Sequence, residues 1–326
     1  MINVRVSPVV AIALWCAVAS AADPPLRMGT VVPDGTSWAR ELKAFAREVE
    51  EGSHVKVKFY WGGITGDDAE AIRRIRRGQL DGAAGAATCS ELAPSLKATR
   101  LQGIFPTRDD HERLVHQLPH LEEEFRKQGF VVLGIVSLGP SVLFSRTPVT
   151  SWDQIKRLRL WRWDIDPVAW QHDRLMGLTI VPTSVENASA AFDGGKVDGF
   201  VALAASALAF QWHSRAPYIL PLEFDYLNAC LVLSLSAWDA LSIETQRTVR
   251  AAGAKLERRM ELVGRESDRT VLQAFVGHTV RSTTVPAATR EAFVKAAHDT
   301  RARAEGDGQV PGDAVQWILQ HLGAPH

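Results

Sequence analysis

The sequence predicts an α/β fold built from two related units and joined by one long helix. Strand-like and helix-like segments alternate from residue 26 to about residue 202, as they do in proteins with parallel sheets. The segment RRGQLDGAAG (76–85) is echoed by DGGKVDGFVA (193–202), which places Asp81 and Asp198 at matching positions after a helix. We therefore expect two similar lobes with a ligand cleft between them, at the carboxyl ends of the strands.

The first unit reads strand, helix, strand, helix, strand. Thr36 or Ser37 caps the first helix, and the second helix opens on Asp67 and Asp68 and ends at Gly78. We interpret the two aspartates as complements to the positive end of the helix dipole rather than as catalytic carboxylates. The predicted strands are LRMGTVV (26–32), HVKVKFYW (54–61) and LDGAAGAA (80–87).

The second unit contains the segment LRLWRWDID (158–166). Side chains of a strand alternate between its two faces, so Trp161 and Trp163 share one face and Arg162 points to the other. Two indoles on one face form either a core or the floor of a binding site. The predicted strands of this unit are GFVVLGIVSL (129–138), RLRLWRW (157–163), LTIVPTS (178–184) and KVDGFVA (196–202), and its helices are a short one after residue 149, DPVAWQHDRLMG (166–177) and VENASAAFDGG (185–195).

A long helix is predicted from a cap at Ser242 to Gly277. At 1.5 Å per residue its roughly 34 residues extend about 51 Å, too far for one small lobe. Its apolar stripe drifts and is interrupted by two glycines, which favours a spine across both lobes over a coiled coil. The stripe consists of Val249, Ala252, Leu256, Met260, Val263, Val271 and Phe275.

The composition excludes several functional classes. Lysine plus arginine equals aspartate plus glutamate at 37 each, so no basic surplus indicates nucleic-acid binding. The segment at 1–21 is typical of a signal peptide cleaved near Ala21, and predicts an exported, periplasmic protein. Cys89 and Cys230 can form one disulfide in an oxidising compartment, but two separate buried thiols are the simpler expectation.

No catalytic or cofactor-binding motif is present. The sequence has no phosphate-binding loop, no dinucleotide-binding glycine pattern and no nucleophile elbow. His111, His116 and His213 show no metal-ligand spacing and no adjacent nucleophile. We expect no cofactor, no metal and no enzymatic activity.

Several segments, in order, resemble TRAP transporter solute-binding proteins of the DctP type. They are FYWGGITGDDAEAIRRIRRGQLDGA, SWDQIKRLRLW, GLTIVPTSVENASAAFDGGKVDG and LVLSLSAWDALSIETQRTV, and the resemblance runs from about residue 26 to 300. It implies a two-lobed periplasmic binding protein fold that captures a small solute and delivers it to TRAP membrane subunits. Relatives with tryptophan-rich strands also imply a tetratricopeptide-repeat partner. The expected division is 1–21 signal peptide, 22–130 plus about 220–250 lobe I, and 131–219 plus about 251–326 lobe II with the spanning helix.

The departures from the family pattern concern its polar ligand contacts. Trp161 stands at the position of the arginine that holds organic acids in such proteins, Ser141 replaces a second arginine, and Ala202 replaces an asparagine. The resemblance therefore predicts a hydrophobic or aromatic ligand. Four alternatives stay open: a bulge that puts Arg162 at the anchor position and restores acid binding, packing of Trp161 between the lobes, a periplasmic sensory module, and an enzyme on a binding-protein fold.

Four further side chains are weaker candidates for the cleft. Trp163 shares the face of Trp161, Trp38 follows the first strand, Thr88 follows the first Asp-Gly strand, and Trp212 follows the second. Other aromatic residues are expected in the core, on the rim or packed on their own lobe: Phe200, Trp61 and Trp170.

Overall fold

The structure is a computed structural model that describes residues 23–275, 281–306, 308 and 310–323, with the backbone alone for 271–275. The predicted signal peptide and Gly277 lie outside these residues. The strands are β1 Leu26–Thr30, β2 Val57–Tyr60, β3 Gly82–Gly85, β4 Phe130–Ser145, β5 Arg159–Trp163, β6 Thr179–Thr183, β7 Gly199–Leu203, β8 Tyr218–Leu220, β9 Tyr226–Ser234 and β10 Arg281–Ser282.

The helices pack on both faces of the sheet. They are α1 Ser37–Ser53, α2 Asp68–Arg76, α3 Ala87–Leu92, α4 Arg108–Val115, α5 Leu121–Lys127, α6 Trp152–Lys156, α7 Pro167–Leu175, α8 Val185–Asp193, α9 Ala204–Ala209, α10 Leu235–Asp239, α11 Ile243–Phe275, α12 Ala287–Gly306 and α13 Gly312–His321, with 3₁₀ helices at Pro94–Arg100 and Trp212–Ser214. Within the described ranges, no helix has the length and apolar character needed to cross a membrane.

Two parallel sheets are joined through an antiparallel pair of strands. The strand order is β2-β1-β3-β9-β4-β7-β5-β6, with β8 against the end of β4 and β10 against β8. Strand β1 runs parallel to β2 and β3, and β5 runs parallel to β6 and β7. We call the elements around β1–β3 the first lobe and those around β5–β7 the second lobe. The predicted α/β fold is confirmed.

Strand β4 belongs to both lobes. Its first part, from Phe130 to Pro140, pairs with β9, and its last part, from Ser141 to Ser145, pairs with β7. One continuous strand thus crosses from one lobe to the other. The residue limits predicted for the two lobes stay a prediction.

The echoed Asp-Gly segments have the same structural role in each lobe. The Asp81 carboxylate accepts the backbone N–H of Arg27 (2.7 Å) and its guanidinium Nε (2.9 Å) at the start of β1. The Asp198 carboxylate accepts the same two groups of Arg159, at 3.0 and 2.9 Å, at the start of β5. Both pairs align a neighbouring parallel strand at its amino end, away from the cleft, so the repeat is structural.

Helix α11 is the predicted spine. It packs on α1 in the first lobe, on β4, and on α9 in the second lobe. Its Arg259 is paired with Glu41 and Glu48 of α1, both at 2.7 Å. In the predicted apolar stripe, the buried residues are Val249, Ala252, Leu256 and Met260, and Val263 is half-buried. The structure describes only the backbone of the last two members, Val271 and Phe275.

A glycine allows α11 to lie close to β4. A Cβ on Gly253 would come within 2.3 Å of the Leu133 carbonyl oxygen. That is closer than any real carbon–oxygen contact, so a side chain there would push the helix off the strand that joins the lobes.

We predict that Gly253→Ala lowers the free energy of unfolding by about 1–3 kcal/mol through overpacking. Helix propensity alone predicts the opposite sign, a gain of up to about 1 kcal/mol. Gly306→Ala is the matched control, because Gly306 also lies in a helix and its Cβ would meet nothing within 4 Å. Urea unfolding measures both; equal effects of the two substitutions would contradict the close approach.

Candidate ligand-binding site

A cavity lies between the lobes at the carboxyl ends of the parallel strands. Its volume, taken as the space that the centre of a water molecule can occupy, is about 140 Å³. The first lobe contributes the residues after β1 and β3 and one face of α1, the second lobe contributes the ends of β5 and β7, and α11 contributes Met260. Open α/β sheets bind ligands at this edge of their strands.

Aromatic side chains form the second-lobe wall. Trp161 is 3% exposed, and its ring centroid lies 4.7 Å from that of Trp212. Trp212 in turn stacks on Phe200 at 5.0 Å with an angle of 8° between the rings, and on Phe210 at 5.2 Å. Phe200 is fully buried behind this wall, in the core as expected, whereas Phe210 borders the cavity.

Six of the seven side chains singled out in the sequence line this cavity, and one does not. The six are Trp38, Ser141, Trp161, Trp163, Ala202 and Trp212. Thr88 does not border the cavity; it is fully buried in α3, where its backbone N–H donates to Asp68 at 3.3 Å. The strand before it ends earlier than predicted, so Thr88 turns inward on a helix instead of facing the rim.

The register of β5 shows no bulge. Arg159 through Trp163 pair one to one with Thr179 through Thr183 of β6. Strand β5 therefore contains no bulge that would shift Arg162 to the position of Trp161. Trp61 and Trp170 do not line the cavity; Trp61 stacks on Phe59, and the Trp170 indole donates to the Asp164 carbonyl at 3.3 Å.

Arg162 borders the cavity, but its guanidinium is held by two buried carboxylates. Its Nε donates to Asp173 Oδ2 at 2.6 Å, and Nη1 lies 2.8 Å from Asp225 Oδ2. The side chains of both aspartates have no exposed surface. Arg162 therefore lacks a free edge with which to grip a ligand carboxylate.

Arg100 is a second buried arginine at the cavity wall, and sequence reasoning did not find it. Its Nη2 donates to Asp166 at 2.6 Å, and its Nη1 lies 3.0 Å from Asp225. Asp166 follows β5, so this pair connects the two lobes. The periodicity of a sequence indicates which apolar positions are buried. It does not indicate the burial of a single arginine, such as the one in the segment KATR.

The two arginines and three aspartates form one group, the charge cluster, in which every member except the half-buried Asp166 is buried: Arg100, Arg162, Asp166, Asp173 and Asp225. Burial raises the pKa of the Asp225 carboxyl, but Arg100 and Arg162 more than offset this, so its pKa falls to about 2. Burial raises the pKa of Asp173 to about 6, against the effect of Arg162. With two positive and three negative groups, the charge cluster carries a net charge of −1 near neutral pH.

Ser141 is also engaged by the charge cluster. Its hydroxyl hydrogen bonds the Asp225 carboxylate and helps to lower the pKa of that group. Its backbone N–H donates to the Asp225 carbonyl at 2.8 Å. Neither Ser141, whose hydroxyl is engaged, nor Ala202 offers a ligand a cationic group.

Asp68 has a role that the sequence did not reveal. Asp67 caps α2 as expected, accepting the Glu70 N–H at 2.8 Å. Asp68 is buried, accepts the Ala87 N–H at 2.7 Å, and lies where a Cβ on Gly85 would meet its carboxylate at 2.3 Å. Burial raises its pKa to about 6. Only glycine at 85 leaves room for this carboxylate behind the cavity wall.

Cys89 and Cys230 form a disulfide, with Cα atoms 5.3 Å apart. The expectation of two separate thiols is therefore wrong. Register explains the pairing, because Gly85 at the end of β3 lies opposite Cys230 in β9 and α3 begins two residues later. The bond attaches α3, next to the cavity, to the central sheet.

The model of the family "Bacterial extracellular solute-binding protein, family 7", DctP, matches residues 28–306. The chain belongs to this family. A curated "Solute-binding protein" of Chromohalobacter salexigens is 25% identical over 221 residues, and this match spans 65% of each protein. The match thus spans less than two thirds of that relative's length.

Solved structures of TRAP periplasmic solute-binding proteins share the fold. One from Sulfitobacter sp. NAS-14.1, with bound β-D-galacturonate, has a TM-score of 0.83 at 18% identity and covers 91% of this chain and 99% of its own. One from Haemophilus influenzae, with bound L-gulonate, has a TM-score of 0.84 at 15% identity with the same coverage. The Bordetella pertussis receptor that binds pyroglutamic acid has a TM-score of 0.81 at 17% identity and covers 91% of this chain and 98% of its own. The predicted two-lobed fold with its spanning helix is confirmed.

This solute-binding protein shows no metal centre in the part of the chain that the structure describes. No group of three or more His, Cys, Asp or Glu side chains there is arranged to hold an ion. His111 is fully buried, bonds Ser137 at 2.8 Å, and has a pKa lowered by burial to about 3. It acts as a neutral core residue.

We predict that Asp225→Asn lowers the free energy of unfolding by about 3–5 kcal/mol, because it leaves two buried guanidinium groups without their shared carboxylate. The pKa of Asp225 is lowered in the folded state, so its contribution is present above pH 3.8 and is lost as the pH falls toward 2. The variant should therefore lose less stability than the parent between these pH values. Asp193→Asn, at an exposed ion pair with Arg215, is the control and should change stability little. Equal effects at the two sites, measured by urea unfolding, would contradict the assigned role.

A second prediction concerns the disulfide. Replacing both cysteines by alanine should lower the free energy of unfolding by about 3–5 kcal/mol, since a closed loop of 141 residues no longer restricts the unfolded chain. Dithiothreitol should destabilise the parent by a similar amount and leave the double variant unchanged. A parent that is insensitive to reduction under unfolding conditions would show that the bond is absent.

Proposed function

We propose that the protein captures a small, largely apolar or aromatic molecule with no net negative charge and presents it to the membrane subunits of a TRAP-type transporter. One observation carries the ligand class. Each charged side chain that borders the cavity, Arg100, Arg162 and Asp166, is already paired inside the charge cluster. The rest of the lining is mainly aromatic and aliphatic.

The aromatic wall supplies binding free energy for an apolar ligand. Removing apolar surface from water contributes about 25 cal/mol per Å², and aromatic side chains offer large areas with defined stacking geometry. Trp161 and Phe210 lie at the cavity, and Trp212 is held by stacking on Phe200. The wall is therefore pre-organised, which reduces the entropy lost on binding.

A carboxylate ligand is disfavoured on the same grounds. A buried carboxylate without a cationic partner costs several kcal/mol in lost hydration. To bind one, Arg100 or Arg162 would have to release Asp166, Asp173 or Asp225 into the same buried region. The net charge of −1 on the charge cluster adds repulsion.

The ligands of the solved relatives differ from the apolar ligand that we propose here. The solved structures with bound galacturonate and gulonate hold sugar acids, and the Bordetella pertussis receptor binds pyroglutamic acid. These proteins are only 15–18% identical to this chain, so the likeness concerns the fold and not the ligand. We propose that Trp161 stands where such proteins hold a ligand carboxylate, and an indole at that position supports a change of ligand class within the family.

Transport provides the setting for this binding. The family consists of bacterial extracellular solute-binding proteins. We propose that this protein is exported by the segment at 1–21 and lies in the periplasm. We propose TRAP membrane subunits as its partners. A tetratricopeptide-repeat partner stays a prediction. The proposal contains no catalytic step. A sensory role would be favoured instead if no genes for membrane subunits accompany this one.

The test begins with native mass spectrometry of the purified protein, in which we expect an apolar or aromatic small molecule to co-purify. Protein emptied by unfolding and refolding is then titrated calorimetrically with indole. Trp161→Ala should weaken indole binding at least tenfold by removing the aromatic wall. The control Trp170→Ala, at an indole outside the cavity, should leave it within twofold.

The acid-binding alternative gives the opposite pattern. Sodium galacturonate or pyroglutamate would then bind more tightly than indole. That binding would be lost in Arg162→Met and would survive Trp161→Ala. This result would show that the charge cluster opens to receive an anion and would overturn the proposed ligand class.

A further inference from the structure

A second chamber adjoins the cavity at its edge in the first lobe. The space open to water-sized spheres in it is about 220 Å³. The two spaces share the bordering residues Ala86, Arg100, Trp163, Asp166 and Leu227. Trp163 and the Arg100–Asp166 pair therefore lie where one space passes into the other.

The second chamber differs from the first in its polar groups. Ser90 and Glu91 of α3 and Lys97 of the following 3₁₀ helix border it. Neither Glu91 nor Lys97 makes a hydrogen bond or ion pair with any residue that the structure describes, although Arg76, Arg73 and Lys97 act on the Glu91 carboxylate at longer range. One free carboxylate and one free ammonium thus border the same space.

We propose that the two chambers bind one bipartite ligand: an apolar, aromatic-sized body in the indole-lined cavity and a zwitterionic head group in the second chamber. This inference rests on the proposed function and extends it from the body of the ligand to its head. A cationic group of the head lies at Glu91, and an anionic group lies at Lys97. The ligand has no net charge. Its head therefore pairs with Glu91 and Lys97 and brings no net negative charge close to the charge cluster.

Solvent exposure determines what the second chamber contributes. Glu91 is exposed and Lys97 is half-buried, so each contact alone is weak in water. Two opposite charges that border the same space favour a zwitterion over a head with one charge, because either single charge is attracted by one side chain and repelled by the other. The second chamber therefore contributes selectivity for the head, and the indole wall contributes most of the affinity.

The experiment compares four probes that share one aromatic body: indole, tryptamine, indole-3-propionate and tryptophan. Calorimetric titration of the refolded, ligand-free protein should show tryptophan binding about three- to fivefold more tightly than tryptamine or indole-3-propionate. In the double variant Glu91→Gln, Lys97→Met this advantage should fall below twofold, while indole affinity stays unchanged. The control double variant Glu291→Gln, Lys295→Met, at exposed positions on α12, should behave as the parent does.

Each result separates the inference from the proposed function. If indole binds in a manner that depends on Trp161 but the three head-bearing probes bind equally, or if the tryptophan advantage survives the double variant, the inference is overturned and the proposed function stands. If tryptophan fails to bind, the inference is likewise overturned. If indole-3-propionate binds best and loses affinity in Arg162→Met, both fail.

Discussion

The buried pairing of Arg100 and Arg162 with three aspartates is the constraint on which the binding site depends. Asp225, which immediately precedes β9, holds both guanidinium groups, while Asp166 and Asp173 of the second lobe complete the pairing. Because the cationic groups are neutralised from within, the neighbouring cavity can be aromatic without leaving charges exposed to it. The same contacts connect the lobes, so the choice of ligand and the geometry of the cleft are physically coupled.

The fold sets this arrangement in place through shared elements. Strand β4 continues from one sheet into the next, and α11 lies across the joint, held to α1 by the pairing of Arg259 with Glu41 and Glu48. Parallel strands of both lobes then point their carboxyl ends at one cleft. The two Asp-Gly segments align the opposite ends of those strands and leave the cleft ends free to vary.

Much of this arrangement could be predicted from residue patterns. Two lobes are indicated by the alternation of strands and helices and by the repeat around Asp81 and Asp198. The spine is indicated by the stripe from Val249 to Met260, because apolar side chains at helical spacing are usually buried. Period-two alternation correctly separated Trp161 from Arg162. Sequence patterns did not reveal the pairing of Arg100 with Asp225 or the bond between Cys89 and Cys230, because each pair is more than a hundred residues apart in the chain. They did not reveal the role of Asp68 because its partner, the Ala87 N–H, follows a turn after β3 that was not predicted. Thr88 lies away from the cavity because β3 ends at Gly85 and α3 begins two residues later, which turns Thr88 into the core.

The most direct test is a crystal structure of the protein with the molecule that it retains through purification. We expect the occupant's apolar surface to lie against Trp161 and Phe210, and Arg162 to stay paired with Asp173 and Asp225. No ligand carboxylate should lie within 4 Å of Arg100 or Arg162, the separation that defines an ion pair. A ligand carboxylate bound to either guanidinium, with an aspartate of the charge cluster displaced, would contradict this expectation.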